Sequence, residues 1–272
     1  MLKIHLFIFK YREKIVTFAF SVTPVQKKRS DEKKTYMVKS IIFDFGGVIM
    51  TLDHGRAIGR FQQLGLKDAA NILDPYTQGG IFGALEVGAA SPEQFKSALS
   101  EMCGRDISYD ECRWAWLGYA KDVPKRNITM LKRLRREGYR LIMLSNTNPY
   151  MMSWARSSDF SRGLDDDEPQ GAGVEHYFDA IYPSYEVRVM KPDIRFFQHV
   201  LSSENINPEE TLFVDDGPRN IEVAATTGMR TFLPINGVDW TEPLIHLLNN
   251  CKAEKHLWLS IAVNMTETTK NR

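Results

Sequence analysis

Three cysteines in 272 residues, Cys103, Cys112 and Cys251, lack the spacing of a disulfide framework or of a thiolate metal site. The chain thus fits a reducing compartment, and we expect buried thiols and a cytoplasmic placement. Long apolar runs are missing too. Leu2 to Phe9 and Ile15 to Val22 are broken by Lys10, Arg12, Glu13 and Lys14. Neither approaches the roughly 20 apolar residues of a membrane-spanning helix, and no small-residue cleavage site follows cleanly, so neither a membrane partner nor a secretory signal is expected. No charge of one sign dominates: 35 Lys and Arg face 34 Asp and Glu, net +1, without a basic cluster in the apparent domain. That leaves no electrostatic footprint for nucleic acid. His5, His176, His199, His246 and His256 have no metal-ligand spacing, and His54 reads as a polar hinge residue.

The composition that remains, 43% hydrophobic and 25% charged, is that of a globular protein with one large domain, or one domain and an insertion. Residues 1–37 do not resemble the rest and read as a poorly structured leader; Met37 could itself be the working start. Residues 251–272 read as a polar tail.

The chain is organised around Ile41-Ile42-Phe43-Asp44-Phe45-Gly46-Gly47-Val48-Ile49-Met50. Apolar residues that stop at a carboxylate and two glycines predict a buried parallel strand whose carboxyl end opens into a tight loop. From Arg56 to about Val123 the pattern is helical, with Ser91-Pro92-Glu93-Gln94 and Ser108-Tyr109-Asp110-Glu111 as helix starts of the capping-box type. Beyond Pro124 helices and strands alternate. Strands are expected at Arg140–Leu144, Ala180–Tyr182, Thr211–Val214 and Arg230–Leu233, and Asp159 to Gly173 reads as a solvated loop. The fold class is therefore α/β, a parallel sheet with a helical unit inserted after its first strand. The boundaries expected are 38–53 and 123–250 for the core and 54–122 for the insertion.

Three strands end in polar groups: Asp44, then Ser145 and Asn146, then Asp215 and Asp216. Ligands of such sheets bind at the strands' carboxyl ends, so these groups converge if their strands are neighbours. Lys191 could reach the same rim. Three carboxylates together repel, and a divalent cation is the simplest way to keep them ionised; Mg2+ suits an all-oxygen site. Loop amides after Asp44, with Ser145, Asn146 and Lys191, are donors for a phosphoryl group. The inventory describes phosphoryl transfer to Asp44. Asp216 could instead orient Lys191 or cap a helix, and Asn220 could be a surface residue. Trp114 and Trp116 read as packing aromatics before a sugar platform, and Lys132 to Arg136 as a solvated face.

In Phe43 to Val48, Leu144 to Asn148, Lys191-Pro192 and Val214 to Asn220, in that order, the chain resembles the haloacid dehalogenase superfamily of aspartate-nucleophile phosphatases. The resemblance spans about Val38 to Asn250 and implies a Rossmann-like core with a helical cap. It also implies Asp44 as nucleophile and metal ligand, and the Gly46 carbonyl, Asp215 and Asp216 as further ligands of Mg2+. Gly46, Gly47, Ser145, Asn146 and Lys191 would then hold the phosphoryl group of a small phosphorylated metabolite. One departure matters: most family phosphatases carry a second aspartate, the general acid and base, where this chain has Gly46. Asp53 could replace it, or the substrate could need little protonation. The subgroup with Asp-x-Gly-x-Val includes a bacterial phosphatase of glucose 1-phosphate. A phosphomutase or phosphotransferase, and a non-catalytic metabolite-binding protein, are the alternatives.

Overall fold

The computed structural model describes residues 6–11, 14–19, 37–73 and 79–251. Within the expected leader, β1 (Leu6–Tyr11) and β2 (Lys14–Ala19) pair as an antiparallel ribbon, where no element was predicted. Their branched and aromatic residues suit a strand better than the broken apolar pattern suggested. Most of the expected tail lies outside the described residues.

The body is built on five parallel strands in the order β7 (Ala180–Pro183), β6 (Arg140–Ser145), β3 (Ser40–Phe43), β8 (Thr211–Val214), β9 (Arg230–Phe232). The first strand of the body is central, and the order reverses beside it. β3 is completely buried, and its residues alternate between two layers. Ile41 and Phe43 pack towards α6 (Lys125–Arg136), α7 (Pro149–Ala155) and the helical residues 241–251. Ile42 packs with Phe196 and Phe197 of α9 (Ile194–Ser203) and Ala224 of α10 (Pro218–Thr226). This two-sided burial explains the unbroken apolar run.

Between β3 and α6 the chain makes a helical excursion. It leaves through β4 (Thr51–Leu52) and returns through β5 (Ala120–Asp122), which pairs antiparallel with β4 to form a two-stranded stem. The excursion holds α1 (His54–Leu64), α2 (Ala69–Ile72), α3 (Gly80–Glu86), α4 (Pro92–Cys103) and α5 (Tyr109–Trp116). Both expected capping boxes are present, at Ser91 with Gln94 and at Ser108 with Glu111. Phe61, Phe82, Phe95 and Trp116 pack edge to face at the centre of the excursion, contacts that stabilise beyond their area by about 0.5–1.5 kcal/mol per pair. Arg56 ties the excursion's exit to its entrance, donating to the carbonyls of Gly118 (2.8 Å) and Ala120.

Two surface expectations change. The loop from Asp159 is partly built in: the Asp165 carboxylate is buried and accepts from Lys132, the Asp167 N–H and the Tyr177 hydroxyl. The basic run of α6 is correspondingly paired, Lys132 with Asp165 and Asp167, Arg133 with Glu137, and Arg135 with Asp179. Of the thiols, Cys112 is buried, whereas Cys103 and Cys251 are only half-buried. Among the described residues no helix is long and apolar enough to cross a membrane. α8 (Ser184–Val187) completes the set, directly after β7.

Candidate active site

Asp44 is the first residue beyond β3, and its N–H still belongs to the sheet, donating to Val214 at 2.8 Å. The chain then turns sharply. Gly47 N–H donates to the Met50 carbonyl at 2.8 Å, Ile49 and Met50 N–H both donate to Phe45, and the Gly46 carbonyl takes up none of the loop's backbone bonds. The loop is braced from behind by Asn127 Nδ2, which donates to the carbonyls of Val48 and Ile49 at 3.0 Å each, and by Trp240 Nε1, 2.7 Å from Val48 O. Sequence reasoning missed both braces because each lies far along the chain.

β8 adjoins β3, so Asp215 and Asp216 arrive beside Asp44. The three carboxylates each place an oxygen within 4.8 Å of the others. Lys191, fully buried, fills the centre: its Nζ is 2.8 Å from Asp44 Oδ1 and 2.6 Å from Asp215 Oδ2. Asp215 Oδ1 accepts from Asn220 Nδ2 at 2.9 Å and from the Gly217 N–H at 2.7 Å. Asn220 is thus part of the site, since Pro218 starts α10 immediately and one turn brings its side chain back over the strand end. Asp216 does not orient Lys191. Its carboxylate lies against Gly47 instead, where any Cβ would fall 1.9 Å from Oδ2. The glycine pair therefore makes room for an acid as well as for a turn.

Burial pushes the Asp44 carboxyl up to about 7, with Lys191 opposing and the charges of Asp215 and Asp216 adding to the rise. Burial, reinforced by Asp215, likewise lifts Asp216 to about 6. Burial works to lower Lys191, but Asp215 and Asp44 outweigh it and hold the ammonium above its ordinary value. One ammonium among three carboxylates leaves an excess of negative charge, and the donor set is all oxygen. That is the chemistry of a hard divalent cation, and the residues fit one: Asp44, Asp215 and Asp216, with the uncommitted Gly46 carbonyl at the same rim.

A cavity of about 130 Å3 opens over this cluster. Asp44, Gly46, Ser145, Asn146, Lys191 and Asp216 form its floor, and Glu86, Trp116 and Tyr119 of the helical excursion contribute to its walls. A shallower depression of about 530 Å3, lined by Lys125, Arg126, Arg133 and Glu242 among others, holds no nucleophile. Ser145 is buried with its hydroxyl making only a long bond, 3.3 Å, to the Asn146 carbonyl. Asn146 differs from expectation: its side chain donates to Lys191 O at 2.9 Å and accepts from Lys191 N–H at 2.8 Å. The amide is spent on holding the lysine rather than offered to an anion.

Asp53 also departs from its expected role. Its carboxylate caps α1, accepting from the Arg56 N–H at 2.9 Å, and it is not among the residues lining the cavity. His54 Nε2 bonds the Leu73 carbonyl at 2.9 Å. Trp114 is exposed under the Arg60 guanidinium, and Trp116 is buried in the aromatic centre while reaching the cavity wall. The residue that sequence reasoning missed is Glu86. Nothing marked it beyond its position at the end of a short apolar helix.

The chain belongs to the haloacid dehalogenase-like hydrolases: residues 38–228 match that family. Over 214 residues it is 41% identical to the D-ribitol-5-phosphate phosphatase of Bacteroides thetaiotaomicron, covering 79% of this chain and all of that protein. Among solved structures, a HAD-like hydrolase of Porphyromonas gingivalis superposes with a TM-score of 0.72 at 35% identity, over 78% of this chain and 98% of the other. A HAD family enzyme of Bacteroides thetaiotaomicron, solved with magnesium and inorganic phosphate, superposes with a TM-score of 0.67 at 32% identity, over 75% and 98%.

Proposed function

We propose that this hydrolase is a magnesium-dependent phosphatase of small phosphorylated polyols or sugars, working through an aspartyl phosphate on Asp44. The observation that carries the reading is the convergence of Asp44, Asp215 and Asp216 within 4.8 Å around the buried Lys191, at the floor of a small cavity. Mg2+, as found in the B. thetaiotaomicron structure, would be held by Asp44, the Gly46 carbonyl, Asp215 and Asp216, and would supply charge neutralisation for the phosphoryl oxygens.

Oδ1 of Asp44 is fixed by the Phe45 N–H (2.7 Å) and by Lys191, which leaves Oδ2 to attack phosphorus in line. The ester P–O bond breaks, the alcohol leaves, and water then cleaves the acyl phosphate to release inorganic phosphate. Lys191 and the Ser145 hydroxyl bind the transferring oxygens, while Asn146 serves by holding Lys191 in place. Residues 54–122 act as a cap that shields this chemistry from bulk water and limits substrates to small ones.

Open-chain polyol phosphates come first because of the ribitol-5-phosphate phosphatase relative. Glucose 1-phosphate is the second candidate, since Gly46 stands where a proton donor is usual and an anomeric phosphate has the better leaving group. Phosphate release from a panel of pentitol, hexitol and aldose phosphates, with magnesium and then with a chelator, tests the reading. Magnesium-dependent turnover led by a polyol phosphate is expected; turnover that survives chelation would contradict it.

A further inference from the structure

We infer that Glu86, at the end of α3, is the proton donor to the leaving alcohol and later the base for the attacking water, in place of the acid absent at Gly46. The inference rests on the phosphatase reading and assigns its missing acid–base group to the helical cap.

The placement is built into the fold. The Glu86 carbonyl accepts from Ser184 Oγ at 2.6 Å, and the same hydroxyl oxygen accepts from the Thr147 N–H at 3.0 Å. One buried serine therefore pins the end of α3 to the loop that also carries Ser145 and Asn146. Two residues on, Gly88 lies so close to Tyr185 that a Cβ there would stand 2.1 Å from its carbonyl oxygen, so the α3 terminus is seated against the core and not free to drift. From that anchor the Glu86 side chain lines the cavity whose floor is Asp44 and Lys191.

The carboxyl group is also unspent. It has no hydrogen bond or ion pair among the described residues, and α3 packs on α4 and α8, whose Glu93, Lys96, Glu101, Tyr185 and Glu186 make none with it. The titratable groups that share its cavity are Asp44, Lys191, Asp216 and Tyr119. Burial pushes the Glu86 carboxyl up to about 8, so at neutral pH it is largely the protonated acid a departing alkoxide needs. Two further donors in the cavity lining, Trp116 Nε1 and Asn148 Nδ2, are buried without a partner. Unused polar groups of this kind, in a native fold, point to a ligand with oxygens to offer.

The step balances. As Asp44 Oδ2 forms its bond to phosphorus, the ester oxygen takes the Glu86 proton and leaves as alcohol. The Glu86 carboxylate then takes a proton from the water that attacks the acyl phosphate, and the acid is restored.

The test compares two substrates in magnesium buffer, a pentitol phosphate and 4-nitrophenyl phosphate, whose nitrophenolate departs without a proton. Glu86→Gln, close to isosteric with the protonated acid, is expected to lower kcat/KM for the pentitol ester by about 10² to 10⁴ while leaving the transfer from the aryl ester to Asp44 nearly unchanged. Equal losses on both esters, or no loss on the pentitol ester, would overturn the assignment. Wild-type protein inert towards both would overturn the phosphatase reading, and this inference with it.

Discussion

The carboxylate of Asp216 rests directly on Gly47, so closely that a side chain at Gly47 would overlap its Oδ2, and Gly47 itself has a φ of 77°. Both space and backbone conformation thus demand glycine at this point. Gly47→Ala is expected to cost about 1–3 kcal/mol of stability from backbone strain alone, and to expel Asp216 from the acidic cluster. Thermal melts with and without magnesium check this: the variant should melt lower and lose most of the magnesium-induced rise.

Asn220 acts on Asp215 alone, through a 2.9 Å bond from Nδ2. Groups that orient a metal-binding carboxylate in this way are typically worth about 10–100-fold in affinity. Asn220→Ala should therefore weaken magnesium binding by that range with little change in fold, measured by calorimetric titration.

Asp53 separates a capping role from a catalytic one. Its carboxylate holds the first turn of α1, and loss of such a cap costs about 0.5–2 kcal/mol. Asp53→Ala should lower the melting temperature, whereas Asp53→Asn, which keeps the cap acceptor, should leave both stability and turnover close to wild type. A large fall in kcat for Asp53→Asn at unchanged stability would restore it as an acid.

Glu86 gives a pH dependence of stability with a definite sign. Its folded value of about 8 lies above the ordinary 4.5, so its contribution is fully present below pH 4.5 and is lost as pH rises through 8. In metal-free buffer the wild type should lose melting temperature between pH 5 and pH 9 relative to Glu86→Gln, with the two curves diverging as pH rises.

What the sequence made legible was whatever local pattern controls. The unbroken run before Asp44 announced a two-sided strand, Ser91 and Ser108 announced helix starts, and the polar ends of three strands announced a site once their neighbours were known. What stayed hidden was set by contacts across the chain. Asn127 and Trp240 brace the glycine loop from 79 and 192 residues beyond Val48. Asn146 turned from anion donor to lysine holder because the Lys191 backbone lies within its reach, and Asp165 was drawn inward by Lys132 and Tyr177. Glu86 carried no motif at all. Its role follows from a serine, 98 residues later, that seats its helix against the core.

The central claim, covalent transfer to Asp44, is tested most directly by magnesium-dependent phosphate release from a polyol phosphate with wild type beside Asp44→Asn. Release by the wild type, abolished in a variant that still folds and still binds magnesium measurably, is the result predicted. Turnover retained by Asp44→Asn would contradict it and place the nucleophile elsewhere.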